Sequence, residues 1–375
     1  MKRKAEAIWS DAQGAEGVQM VATMEDLPVE VLWVILREKV DRVDRVACRR
    51  VSRLWRQVLM AVAAERKAKR DHEEDGTRAY MGAVARKGWT GVMRWARSEG
   101  CPWNAWTCAM AAKGGHLEAL RWARSEGCAW NEWTCESAAE GGHLELLKWA
   151  RASGCPWDRR VCAKAAKGGH MDILQWARVN GCPWDWSTCA NAALGGHLEV
   201  LRWARANGCP WNERVCVGAA SGGHLEVLMW ARENGCPWYE FACAYAASGG
   251  HLEVLKWLRA NGCPWNEWTC DDAAYWGRLG VLRWARENGC PWDACTCASA
   301  ALNGHLEVLR WLRGEGCPWD EWTCNRAAEG GHLEVVKWAR ENGCPWGEWT
   351  HASAVRGGHP EVVRWLESNG CPQRT

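Results

Sequence analysis

From about residue 79 to residue 372 the apolar and polar positions recur every 27 residues. One copy reads Cys-Pro-Trp-Asn-Glu-Trp-Thr-Cys, then an Ala pair, then Gly-Gly-His-Leu-Glu-Val-Leu-Arg-Trp-Ala-Arg-Ala-Asn-Gly, with small changes between copies. This pattern predicts two helices. The first follows a recurring Asn or Asp (Asn131, Asp158, Asp185, Asn212, Asn266), whose side chain can accept from the orphan amides of a first turn. It stops at a glycine pair such as Gly141-Gly142. The second is expected from about His143 to Ser153, with Leu144, Leu147 and Ala150 on one face and Glu145 and Lys148 on the other. Gly154 ends it, because glycine is free to take the left-handed conformation after a C-cap.

Helices of about ten residues are marginal alone in water. Each apolar face must therefore be covered by the next copy, and stacked pairs place residues 27 apart in continuous ladders, as in a solenoid. A buried Trp or Leu contributes roughly 1.5–3 kcal/mol. The pairs Glu199 with Arg202 and Glu307 with Arg310 read as surface support worth about 0.2–0.5 kcal/mol each. The array is expected over residues 79–372 and holds eleven helix pairs, from the Trp95 copy to the Trp365 copy. Its end copies depart from the pattern, with Lys87-Gly88-Trp89-Thr90 in the first and Pro360 and Glu367 in the last. Such departures suit caps whose outer faces meet water.

Copying of one unit explains the composition, which has 32 Trp, 22 Cys and 39 Gly against one Phe and four Tyr. Cys101 to Cys371 form a ladder of eleven and Cys108 to Cys324 a ladder of nine continued by His351; Cys48 and Cys295 complete the 22 cysteines. His116 recurs nine times in phase, and Arg278 stands where one would be missing. The net charge of +2, from 47 basic and 45 acidic residues, argues against a nucleic-acid binder working through a large basic face. Met1-Lys2-Arg3-Lys4 leads into mixed polar residues and no long apolar stretch follows. A soluble monomer of the cytoplasm or nucleus is expected, without leader or membrane segment, its thiols kept reduced.

Ala192 to Trp203, an Ala-Ala-Xaa-Gly-Gly-His-Leu-Glu-Val-Leu-Arg-Trp stretch, resembles the Ala-Ala-x-x-Gly-His-x-x-Val-Val-x-x-Leu segment of the ankyrin repeat. Asn207-Gly208-Cys209-Pro210-Trp211-Asn212 resembles the Asn-Gly-Ala-Asp-Val-Asn of that family. An ankyrin unit has about 33 residues, and the six absent here fall after Asn212, where the family carries its β-turn finger. The resemblance implies shortened repeats that are nearly all helix. A leucine-rich repeat is the competing architecture, since its period of about 20–29 residues includes the one observed and Leu198-Glu-Val-Leu201-Arg-Trp203 mimics its spacing. Ala, Arg and Glu in that segment favour helix over strand.

Before the array, Asp26 can cap a helix carrying Pro28 in its first turn and apolar positions through Ile35; further apolar spacing at Val43, Val46 and Ala47, and at Val51, Leu54, Trp55 and Val58, predicts two more helices. The residues Leu27-Pro28, Glu30, Val31-Leu32, Ile35, Val40-Asp41 and Val51-Ser52-Arg53-Leu54-Trp55 resemble an F-box. One extra residue precedes Val40, and Arg45 falls where the family prefers an apolar residue. The resemblance implies that Leu27, Pro28, Val31, Leu32, Ile35, Val51 and Trp55 dock on a Skp1-like adaptor, which would tether the chain to a cullin ubiquitin ligase. A helical cap over the first repeat is the plainer reading. The expected organisation is a disordered N-terminus over 1–22, an F-box-like segment over 23–60, a charged helical linker over 61–78 and the array over 79–372. The fold class is all-α, a three-helix F-box-like segment followed by an ankyrin-like helical-hairpin solenoid of about eleven repeats.

Zinc is the chemistry that so many Cys and His residues suggest, but Cys101 and Cys108 are separated by six residues with no Cys-x2-Cys beside them. Cys295 and Cys297 form a Cys-x-Cys in one copy only. The ankyrin resemblance implies that the two ladder positions are small buried Ala and Leu sites, where a thiol serves as a modest hydrophobe. Disulfides within a ladder are disfavoured by stacked helices about 8–10 Å apart, since a bridge needs Cα atoms within about 7 Å. The His ladder sits just after Gly-Gly, which suits a bond to backbone, and has no paired nucleophile. No metal, cofactor or enzymatic activity is expected. What varies between copies is one stripe of the first helix: Trp106, Met110, Lys113; Trp133, Ser137, Glu140; Arg160, Lys164, Lys167; Ser187, Asn191, Leu194; Phe241, Tyr245, Ser248; Trp268, Asp272, Tyr275; Trp322, Arg326, Glu329. A face that changes while its scaffold is copied is where an array would recognise a target protein.

The function expected is a substrate receptor that links a bound target protein to the ligase by tethering. The alternatives are an ankyrin-type binding scaffold with no ubiquitin connection, and a metal-storing or redox protein. No nucleic-acid or membrane partner is expected. F-box proteins with Gly-Cys-Pro-Trp repeats look like those of giant DNA viruses of amoebae, a resemblance that implies a host-directed role.

Overall fold

Asn131 sets the start of a typical first helix, Glu132–Glu140. Its backbone is extended and its side chain accepts from the Trp133 amide at 3.2 Å. Asn104, Asp158, Asp185, Asn266, Asp293 and Asp320 cap in the same way. The helix ends at Gly141, and Gly142 follows at φ +80°. The second helix, Leu144–Ala152, has His143 at its N-cap with no side-chain cap bond, and Gly154 at φ +83° carries the chain out. Leu146, Leu147 and Ala150 are its buried residues. Leu144, expected on that face, is the first helical residue and only partly covered; Leu146 stands in its place, because the buried face is made by Leu146, Leu147 and Ala150.

The computed structural model of the protein describes residues 81–98 and 100–373. Within them the pattern repeats as eleven helix pairs, from the helical stretch at 81–86 with Thr90–Ser98 to Glu348–Gly357 with Pro360–Ser368. The described residues contain no strand, so helices stand where a leucine-rich repeat would place its strands. The chain divides into two compact units, one up to Trp157 and one from Asp158, and the same rule of assembly holds within each. In the first, Ala105–Lys113 packs on Glu132–Glu140; in the second, each first helix from Arg159–Gly168 to Glu348–Gly357 packs on the next. Small buried residues permit this close approach. Ala138, Ala139, Cys135 and Thr134 are completely buried in one such helix, and their counterparts recur at the same positions.

Three contacts join one copy to the next. The His143 Nε2–H donates to the Lys113 carbonyl at 3.1 Å, from one copy to the first helix of the preceding one, and His116, His197, His224, His251, His305, His332 and His359 do the same at 3.0–3.1 Å. The imidazole lies between two glycines: a Cβ on Gly115 or on Gly141 would come within 2.5–2.7 Å of the His143 ring. Arg278 replaces the histidine in one copy and its Nε–H donates to the Ser248 carbonyl at 3.1 Å. The second is an arginine on an aromatic pair. Trp130 meets Trp149 edge to face at 5.8 Å within one copy, and the Arg124 guanidinium of the preceding copy's second helix lies 4.2 Å from the Trp130 ring centre and also donates to the Cys128 carbonyl. The third is Arg121, 5.6 Å from the Trp149 ring of the next second helix. Glu199 and Arg202 pair on the surface at 3.4 Å, as expected.

The two cysteine ladders lie in the core. The Cys128 thiol donates to the Asn104 carbonyl at 3.4 Å, four residues before Cys108 at the N-cap of the first helix. Both cysteines are completely buried.

Gly223 and Gly235 separate the strain of left-handed backbone from the need for open space. Both have positive φ, but a Cβ on Gly223 would meet the His251 ring at 2.5 Å whereas one on Gly235 meets nothing. Gly235→Ala is expected to cost the left-handed strain alone, about 1–2 kcal/mol. Gly223→Ala should cost about 0.5–1.5 kcal/mol more, through loss of the bond from His251 to the Ser221 carbonyl. Urea midpoints of the two variants check this; equal midpoints would show that the imidazole contact adds nothing.

Candidate functional site

The first helices present the stripe that varies between copies, and the structure sorts its positions by depth. At the first position Trp106, Trp133, Trp268 and Trp322 are exposed, as is Arg160, while Phe241 and Ser187 are half-buried. The second position lies deeper. Met110 and Ser137 are buried against the neighbouring helix; Lys164, Asn191, Asp272 and Arg326 are half-buried; Tyr245 alone of the named set is exposed. At the third, Lys113, Glu140, Leu194, Ser248, Tyr275 and Glu329 are half-buried and Lys167 is exposed.

Within each unit these side chains form rows. Lys113 Nζ and Glu140, one copy apart, pair at 3.0 Å in the first unit. In the second, Phe241 stacks on Trp268 at 4.7 Å, and Glu329 takes both Arg326 at 2.8 Å and Arg356 at 3.3 Å. The Arg214 guanidinium lies 5.4 Å from the Trp186 ring centre. The geometry offers adjacent aromatic and charged side chains on rigid helices, the composition that supplies most binding energy at protein interfaces. Among the described residues no three His, Cys, Asp or Glu side chains converge as metal ligands would.

One place on this surface departs from the copied pattern. Trp276-Gly277-Arg278 replaces Gly-Gly-His, and Trp276 and Arg278 with Tyr245, Ser248, Gly249, Asp272 and Ser221 frame an open groove of about 490 Å³. Trp276 is 55% exposed and its ring meets Tyr275 at 5.3 Å. Three of the four tyrosines and the single phenylalanine fall between residues 239 and 275, so the departures concentrate in two adjacent copies. Trp276 and Arg278 lie outside the stripe read from spacing; the break in the Gly-Gly-His ladder was the signal that marks them. Below the groove, Asp271 accepts from Thr296 Oγ1 of the next copy. Burial pushes its carboxyl up to about 6, with Asp293, Asp272 and Glu267 adding repulsion.

Helix pairs with a copied interior and a varied outer row define a helical repeat protein. Known families agree. Residues 216–259 and 270–313 match the ankyrin-repeat model, in which many copies stand in series, and residues 24–61 match the F-box-like model. The chain therefore combines an F-box-like segment with ankyrin repeats and is a protein-interaction module. No curated protein matches it. Leu27, Pro28, Val31, Leu32, Ile35, Val51 and Trp55 fall within the F-box-like match, outside the residues the structure describes. No helix among the described residues is long and apolar enough to cross a membrane.

The Asp271 carboxyl makes a pH prediction with a definite sign. Its folded pKa is raised from 3.8 to about 6, so its contribution to stability is fully present below 3.8 and is lost as pH rises through 6. Relative to Asp271→Asn, the unaltered protein should lose stability between these limits, read from urea unfolding at pH 4, 5, 6 and 7 buffers. Parallel pH profiles for the two proteins would contradict the assignment.

Proposed function

We propose that the protein is a non-enzymatic substrate receptor: the F-box-like segment docks on a Skp1-like adaptor of a cullin ubiquitin ligase, and the ankyrin array holds the target protein. The observation that carries this reading is the order of the two matches, an F-box-like segment at 24–61 ahead of an array whose interior is copied and whose outer row is not. Leu27, Pro28, Val31, Leu32, Ile35, Val51 and Trp55 are the adaptor-facing residues of this proposal. The target-facing residues are the exposed stripe, with Trp106, Trp133, Arg160, Lys167, Tyr245, Trp268 and Trp322 foremost. Met110 and Ser137, being buried, support their neighbours instead of touching a target.

The chemistry needed from this chain is tethering. Holding a target beside a ligase raises its effective concentration without any bond being made by the receptor itself. The proposed setting is the cytoplasm or nucleus, of a host cell if the chain is viral, where the protein acts as a monomer on one adaptor and one target.

Two outcomes follow. Full-length protein should co-purify a Skp1-like adaptor, and Leu27→Ala with Pro28→Ala should abolish that recovery while leaving the helical circular dichroism unchanged; adaptor recovery unaffected by the double substitution would sink the ligase reading and leave the binding scaffold. Tyr245→Ala with Trp268→Ala should lower recovery of the target about tenfold or more, given hot-spot costs of roughly 2 kcal/mol each, with adaptor recovery intact. Equal target recovery would move the binding surface elsewhere.

A further inference from the structure

The groove at the break in the Gly-Gly-His ladder holds rings and a carboxylate that the fold leaves unused. Tyr245, from one first helix, and Trp276, at the end of the next, both line it and are exposed. Asp272 lies one turn before Trp276, whose amide donates to the Asp272 carbonyl at 3.1 Å, so carboxylate and indole share one face of that helix. Gly249, one copy before Trp276, lines the groove without a side chain. Among the described residues no basic side chain pairs with the Asp272 carboxylate, and burial raises that carboxyl above its ordinary value. Arg278 lines the same groove but is engaged elsewhere. Its Nε–H donates to the Ser248 carbonyl at 3.1 Å and its side chain lies along Gly250, where a Cβ would come within 3.1 Å of it. We propose that this groove takes an arginine side chain of the target protein, with the guanidinium on the Asp272 carboxylate and against the Tyr245 and Trp276 rings.

This inference rests on the array being the part that holds the target, and it names the chemistry of one contact. The sign of the surface selects a cation. The first helices Phe241–Gly249 and Ala294–Leu302 carry no charged residue, and Glu267–Tyr275 between them carries Glu267, Asp271 and Asp272 with no base. Glu240 and Asp293, just before two of these helices, add to the same sign. The sign is local, since Arg159–Gly168 in the same unit carries Arg159, Arg160, Lys164 and Lys167. An acidic segment would meet repulsion from Asp272 and its neighbours, with Arg278 alone to receive it. Among cations the rings select arginine. A guanidinium is flat, stays charged and can meet a carboxylate through two N–H groups while its face covers a ring. An ammonium has no such face. The chain seats its own guanidiniums in this manner: Arg205 lies 4.2 Å from the Trp211 ring centre and donates to the Cys209 carbonyl at 2.6 Å. In the groove the rings and the carboxylate are present and the guanidinium is left for the partner to supply.

The test is a nuclear magnetic resonance titration of the full-length protein with N-acetyl-arginine amide, its neutral isostere N-acetyl-citrulline amide, and N-acetyl-lysine amide, each to millimolar concentration. The readouts are the Trp276 indole N–H and the Tyr245 ring signals. The arginine probe should shift both saturably, and the citrulline probe should bind about tenfold more weakly, as expected when a charged hydrogen bond is lost. Asp272→Asn should weaken the arginine probe by a similar factor. Trp276→Gly with Arg278→His restores the copied Gly-Gly-His motif and should remove the saturable shift of Tyr245. No saturable shift with the arginine probe, equal binding of the citrulline probe, or a lysine probe that binds as tightly would each overturn the proposal, and this comparison of probes on the unaltered protein needs no variant to fold. Adaptor and target recovery, the readouts of the proposed function, do not involve the probes, so failure here with both intact overturns the arginine contact alone.

Discussion

A helix of nine residues cannot hold itself together in water, and each hairpin from Ala105–Lys113 onward among the described residues is made of two such pieces, two of the helices being one residue longer. Everything else follows from how a copy borrows its missing half from the next. The imidazole at the start of each second helix is the clearest instance: it donates backward to a carbonyl at the end of the preceding first helix and, as at His143, lies close against glycines on its flanks. Glycine is required there twice over, for the left-handed turn and for the ring that closes on it. The first glycine of the pair is the more replaceable: Trp276 takes its place beside Arg278, and Asn303 beside His305.

The same arrangement separates stability from recognition. Ala, Cys and Thr in the first helices and Leu in the second are buried and copied, while tryptophans of the loop and second helix are held between an arginine and another tryptophan. None of these can change without disturbing two copies. The outer positions of the first helix carry no such duty, so a row can read Trp, Arg or Phe while the backbone beneath it stays the same. A surface of this kind can be tuned to a partner protein residue by residue, which is the physical reason an array of copied hairpins suits a receptor.

Much of the fold was legible because its signals are local. Asn131 caps as its type predicts, Gly154 turns as glycine does, and the period of 27 fixes which residues align. Depth was less legible, because a stripe at positions four and three apart names a face without saying how closely the next helix covers it. Hence Met110 and Ser137 belong to the named stripe yet are buried, and Leu146 replaces Leu144 in the core. Contacts between unlike positions were not legible at all. The arginine lying over Trp130 and the groove beside Trp276 both join residues that stand at different places in the repeat. The F-box-like residues rest on motif order and on the family match.

The dependence of one copy on the next is tested most directly by amide hydrogen exchange on two peptides, residues 209–235 alone and residues 182–262, which place the same copy between its neighbours. The copy in the middle of the longer peptide should show slow exchange through Arg214–Gly222 and Leu225–Glu233, and the isolated copy should exchange as an unfolded chain. Slow exchange in the isolated copy would contradict the account, because a hairpin that protects its own amides has no need of the imidazole reaching back to Leu194 or of the one arriving from His251.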